Sequence, residues 1–99
     1  MFPFCELYSN KFFVKSLRIL GNALDREMKQ QDFILAFRLH GSYFVKFLEI
    51  EPDLLKYDLI NYKIDKNRNN MICLTEKGLN LLNLINKMKE LIQTLNEIE

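Results

Sequence analysis

Lys66 and Arg68 flank the middle of a polar run, Asp65-Lys66-Asn67-Arg68-Asn69-Asn70. Two cations in so short a stretch can reach phosphates or enter a minor groove, if the flanking chain holds the run out as a loop. A second set lies earlier: Arg38, His40, Ser42, Tyr43 and Lys46. These side chains are of the types that contact phosphate and base edges, and they fall where one helix ends and another begins. Lys15 and Lys29 could add backbone contacts. Glu49, Glu51 and Asp53 make the far half of the later helix acidic, so only its N-terminal half can approach a polyanion comfortably. The alternative is that all these groups are ordinary solvated charges.

Other chemistry finds less support. His40 is the only histidine and stands in no metal-ligand spacing, so a turn residue or a phosphate contact is the better reading. Cys5 and Cys73 are far apart and form no CxxC, which suits two small buried hydrophobes. Glu49, Glu51 and Asp53 resemble paired catalytic carboxylates only in number; on an exposed helix end they are expected to be solvated. No glycine-rich phosphate loop or nucleophile elbow is present. The expectation is a protein that is not an enzyme, with no cofactor, no metal and no evident small-molecule effector.

The chain has 99 residues, 48% of them hydrophobic, and a formal net charge of +1. That suggests one domain with a real core, and it argues against a polycation that coats nucleic acid indiscriminately. The N-terminal MFPFCELYSNK lacks the basic start of a signal peptide, and no apolar run approaches the roughly 20 residues that span a membrane. A soluble, cytoplasmic protein with no membrane partner is expected.

Several elements must position these residues. Phe13, Leu17, Leu20, Leu24 and Met28 step by three and four, which predicts a helix of about 18 residues capped by Ser9 or Asn10. Gly21 lies inside it and would admit a close neighbour. MKQQD reads as a polar break. Phe33, Ile34, Phe37 and Arg38 predict a second helix that Asp32 can cap, ending at Gly41. Ser42 can cap a third helix, with Phe44, Phe47 and Leu48 buried and Tyr43, Lys46, Glu49 and Ile50 elsewhere; Pro52 should break or kink it. Ile60, Tyr62 and Ile64 then alternate with Asn61 and Lys63, and MICLT is a second strand, so 60–74 predicts a hairpin. Thr75 caps a last helix, with Glu76 in its first turn. The remaining phenylalanines, Phe12 included, fall on helical stripes, so base stacking is the poorer reading for them.

Three helices, a hairpin and a helix is the order of a winged helix-turn-helix domain. The sequence resembles that family at "HGSYFVKFLEIEPDLLKYDLI", similar to a recognition helix and its exit; at "NYKIDKNRNNMICL", similar to a wing; and at "LTEKG", which opens the helix after the wing in many such regulators. PadR-like and MarR-like repressors carry this last motif, as do small archaeal and archaeal-virus proteins that dimerise through a C-terminal coiled coil. Asp58 occupies the position where the family has glycine before the first wing strand. The resemblance implies a mostly α (α+β) fold, a winged helix-turn-helix with a two-stranded wing and a long C-terminal helix. It implies that Gly78 lets the chain pass close to the first helix. It also implies double-stranded DNA as partner, with Ser42 and Tyr43 at the start of the recognition helix and Lys46 on its outer face, and Lys66 and Arg68 at the tip of a flexible wing.

In the last helix Leu81, Leu84, Met88, Leu91, Leu95 and Ile98 step by three and four without a break, an a/d seam, with Leu82, Ile85 and Ile92 widening one side. A small domain covers the start of such a helix but hardly its end. The seam therefore suits a second copy, with packing along the chain's own first helix as the alternative. The expected organisation is a DNA-binding domain over 1–75 and a dimerisation helix over 76–99: a homodimeric regulator or architectural protein. The rival is a winged-helix module that binds protein and not DNA.

Overall fold

The structure, a computed structural model, describes residues 10–39 and 44–98. Cys5, His40, Gly41, Ser42 and Tyr43 lie outside them.

Helix α1 spans Lys11–Gly21. Asn10 caps it, its side chain accepting from the Phe12 and Phe13 N–H groups at 2.8 and 3.4 Å. The helix is shorter than its apolar stripe predicts. It stops at Gly21 and Asn22, and Asp25 and Arg26 then take left-handed backbone angles (φ 55° and 58°) in a short 3-10 turn over Leu24–Arg26. Leu24 is consequently exposed, and Met28 belongs to a strand, β1 (Glu27–Lys29). The MKQQD stretch is thus not a break: it holds most of β1 and the start of α2 (Gln30–Leu39), with Asp32 in the first turn of that helix.

Helix α3 runs from Phe44 to Lys56, straight through Pro52. Proline removes one backbone donor and crowds the carbonyl one turn earlier. Here Pro52 and Leu48, one turn before it, both lie on the exposed side, where water can satisfy what the ladder loses. The buried stripe is Phe47, Ile50 and Leu54, not Phe47 with Leu48: Ile50 is 1% exposed and Leu48 47%. Asp53, expected in solvent, is 2% exposed, and its Oδ1 has no hydrogen-bond partner among the described residues.

Strands β2 (Ile60–Ile64) and β3 (Asn70–Leu74) form the expected hairpin, with Ile60 opposite Leu74 and Ile64 opposite Asn70. Of β2 only Ile60 is buried, with Tyr62 partly covered and Ile64 exposed, while Ile72, Cys73 and Leu74 of β3 are buried, so it is the far end of the hairpin that stands away from the core. The sheet has three strands, not the wing's two, because β1 pairs with the other edge of β3, Glu27 opposite Cys73. Cys73 is buried there, and burial pushes its thiol pKa up, with the nearby Glu27 carboxylate adding to the effect.

The core joins Phe13, Leu17 and Leu20 of α1 to Phe33 and Phe37 of α2, Phe47, Ile50 and Leu54 of α3, and Ile60, Ile72 and Leu74 of the sheet. Phe33 meets Phe47 edge-on at 4.8 Å between ring centres, and Phe37 meets it at 6.0 Å, which fixes α2 against α3.

Helix α4 covers Glu76–Ile98. Thr75 organises its start. Its N–H donates to the Leu59 carbonyl, its hydroxyl lies 2.7 and 3.0 Å from the Asp58 and Leu59 carbonyls, and its Oγ1 accepts the Gly78 N–H at 2.9 Å. A Cβ on Gly78 would overlap the Leu59 carbonyl oxygen and stand 2.6 Å from Leu74 Cδ1. The close approach therefore occurs at the start of β2 and not at the first helix. Helix α1 is met instead through Gly21, where a Cβ would stand 2.5 Å from Leu82 Cδ2. Leu82 and Ile85 are buried, and every residue from Asn86 to Glu97 is exposed.

Candidate nucleic-acid interface

The wing tip is a loop tied by its own hydrogen bonds. Asp65 Oδ1 accepts the backbone N–H groups of Asn67 and Asn69 at 2.8 and 2.9 Å, and its Oδ2 accepts from the Asn69 side-chain amide at 3.2 Å. The Asp65 N–H donates to the Asn69 carbonyl and the Arg68 N–H to the Asp65 carbonyl, both at 3.0 Å. Arg68 takes φ 63° to close the turn. The Asn69 N–H holds the Asp65 carboxyl below the usual carboxylate range, helped by the Asn69 amide, the Asn67 N–H and the charge of Lys29. Lys66 and Arg68 are exposed on this loop, and no carboxylate forms an ion pair with either among the described residues.

Two attachments set the loop beside the helices. Tyr62 of β2 donates its hydroxyl to Glu51 of α3, and burial together with that carboxylate pushes the phenol far above its ordinary value. On the other edge, Lys63 of β2 pairs with Glu27 of β1 at 2.6 Å. Between the wing and the start of α2 lies a cleft of about 340 Å³, lined by Lys29, Gln30, Gln31, Ile34, Arg68, Asn69 and Asn70. Two cations and four amides, with no carboxylate among them, offer the donors that phosphodiester oxygens accept. Lys29, a candidate backbone contact in the sequence, lines this cleft. The paired amides were not legible, although Gln30-Gln31 and Asn69-Asn70 each border a polar connection in the sequence.

The helix face expected to read bases is different in composition. Arg38 is exposed near the end of α2. Lys46 lies on the flank of α3, half-buried and 3.8 Å from Glu49. The side of α3 opposite Phe47, Ile50 and Leu54 instead presents Val45, Leu48, Glu49, Pro52 and Leu55, with Lys56 at its C-terminal end. Lys15 spreads over the Phe12 and Phe37 rings, 6.0 Å from each centre. His40, Ser42 and Tyr43 fall outside the described residues.

On α4, Leu81 packs partly against the core, while Leu84, Met88, Leu91 and Leu95 form an exposed row with Ile92 beside it. No helix among the described residues is long and apolar enough to cross a membrane.

No family model matches the chain, and no curated protein matches it. Among solved structures it is similar to MepR, a transcription regulator of the Staphylococcus aureus multidrug efflux pump MepA. The TM-score is 0.72 and the identity 19%, over 96% of this chain and 77% of that one. At that identity the likeness speaks to the fold: a mostly helical winged helix with a three-stranded antiparallel sheet and a long C-terminal helix.

Proposed function

We propose that the protein binds double-stranded DNA as a homodimer and acts as a transcriptional regulator or an architectural protein, without catalysis. The observation that carries this reading is the Asp65-built wing, which holds Lys66 and Arg68 out beside the amide-rich cleft of Lys29, Gln30, Gln31, Asn69 and Asn70. The similarity to MepR, itself a transcription regulator, supports it. In this reading the wing and cleft grip the backbone, and the N-terminal half of α3, with Ser42, Tyr43 and Lys46, approaches the major groove. Arg38 and His40 add phosphate contacts. Residues 1–75 form the DNA-binding domain, and residues 76–99 join two copies along Leu81, Leu84, Met88, Leu91, Leu95 and Ile98. Its site of action in this reading is the cytoplasm.

The test is a gel shift on random duplex at low salt, repeated across a salt series. Wild type should bind, and Lys66→Ala with Arg68→Ala should weaken binding and flatten the log–log salt slope by up to about 1 per lost phosphate contact. Unchanged affinity and slope would remove the wing from the interface. A protein-binding role is favoured by one observation, the apolar outer face of α3. It becomes the better reading if no duplex is bound at any salt.

A further inference from the structure

The outer face of α3 is unusual for a surface that meets DNA. Val45 is 56% exposed and Leu48 47%. They share that face with Pro52 and Glu49, and Glu49 is engaged by Lys46 at 3.8 Å. A face that reads guanine needs donors aimed at O6 and N7, and Arg or Lys usually supplies them. On the N-terminal half of this face no described residue supplies one in the central position: Val45 and Pro52 line it, Lys46 stands to the side, and exposed Lys56 lies at the far C-terminal end of the helix, roughly 16 Å from Val45. What the face offers is methyl and methylene surface at its N-terminal end, where helix-turn-helix proteins contact bases. The major-groove edge that matches such surface is the C5-methyl of thymine.

We infer that Val45 and Leu48 read thymine methyl groups, so that the protein selects thymine-rich duplex through apolar contact in the major groove. The inference rests on the DNA-binding reading above. It divides the work between two surfaces. The wing and cleft supply cations and amides to phosphates, which carry affinity but no sequence information. Helix α3 adds discrimination without adding charge, which agrees with a formal net charge of only +1. DNA is the favoured occupant of this apolar face because of what surrounds it. Exposed Arg38 lies on the preceding helix, and Lys66 and Arg68 lie on the wing that Tyr62 ties to α3 through Glu51. A helix about 10–12 Å across also fits a major groove about 12 Å wide.

Uracil differs from thymine only by this methyl group and keeps every hydrogen-bonding edge. The experiment therefore uses two duplexes of one mixed A·T sequence, one with thymine and one with uracil at every thymine position. Affinity is measured at fixed low salt for the wild type and for Val45→Ala with Leu48→Ala. Both sites are exposed, so the variant should melt as the wild type does. The wild type should bind the thymine duplex more tightly, by about fourfold for each methyl buried, and the variant should bind the two duplexes alike. Equal wild-type affinity for both duplexes overturns the inference and leaves the DNA-binding reading standing. A thymine preference that survives in the variant overturns the assignment to Val45 and Leu48. Binding to neither duplex overturns the DNA-binding reading itself and returns this face to a protein partner.

Discussion

Two aspartates do at single positions what glycine or a longer loop does elsewhere. Asp58 sits at φ 58°, where the chain leaves α3 for β2. The left-handed region costs most residues on the order of 1–2 kcal/mol, and aspartate tolerates it better than most. Asp58→Gly should therefore hold or raise the melting temperature, and Asp58→Val should lower stability by about 1–2 kcal/mol; thermal melts of the two variants decide it. Asp65 is the builder of the wing. Its carboxyl is depressed in the folded protein, so the loop's stabilisation is complete above the unfolded value, near ~3.9, and is lost as pH falls through the folded value. The protection of the Asn67 and Asn69 amides, taken as exchange relative to the intrinsic rate at each pH, should hold at neutral pH and fall below about pH 4. Asp65→Ala gives a sharper test, because charge and order oppose each other. Removing a negative charge beside DNA should tighten binding. Losing the loop that presents Arg68 should weaken it, and weaker binding is the expected result.

At the level of elements, the two glycines on the seam between domain and long helix differ in what faces them. Gly78 faces backbone, the Leu59 carbonyl, whereas Gly21 faces the end of a flexible leucine. Gly78→Ala should cost about 1–3 kcal/mol through overpacking. Gly21→Ala should stay within about 1 kcal/mol of wild type, since helix propensity offsets the shift of Leu82; chemical denaturation of both measures the contrast. These features were legible because local chemistry fixes them: the Asn10 and Thr75 caps, the glycine after LTEK, the polar run between two β-rich segments. Other elements were not legible. Strand β1 is three residues long and exists only because Glu27, Met28 and Lys29 pair with Cys73, Ile72 and Met71 far along the chain. The phase of α3 was hidden because it has apolar residues on both sides, Val45, Leu48 and Leu55 outside and Phe47, Ile50 and Leu54 inside. Periodicity alone favours neither stripe. The hairpin that forms the wing was readable, but the cleft was not, since Lys29 and Arg68 come to line it together only through that same pairing of β1 with β3.

The whole molecule measures 53 × 29 × 26 Å. Helix α4, with 23 residues, accounts for much of the long dimension; at about 1.5 Å per residue it is roughly 34 Å long. That length matters for the proposed dimer, because helix-turn-helix pairs commonly place their reading helices about one DNA turn, roughly 34 Å, apart. Met88→Glu with Leu91→Glu should give monomers in sedimentation and weaken DNA binding well beyond any single surface change, since each half-site is then bound alone. A wild-type chain that sediments as a monomer at tens of micromolar would remove both expectations. The joint at Leu59 gives this shape a mechanical meaning. One carbonyl, at the exit of α3, receives the hydrogen bond from Thr75 and seats Gly78, so helix α3, both legs of the wing and the root of α4 meet at one joint. Helix α4 beyond Gly78 contains neither glycine nor proline and has no built-in hinge. It is a stiff rod seated on the domain as far as Ile85, so a tilt of about 5° at the root, which would swing the far end by about 3 Å over its length, has to carry the packing of Leu82 and Ile85 on α1 along with it.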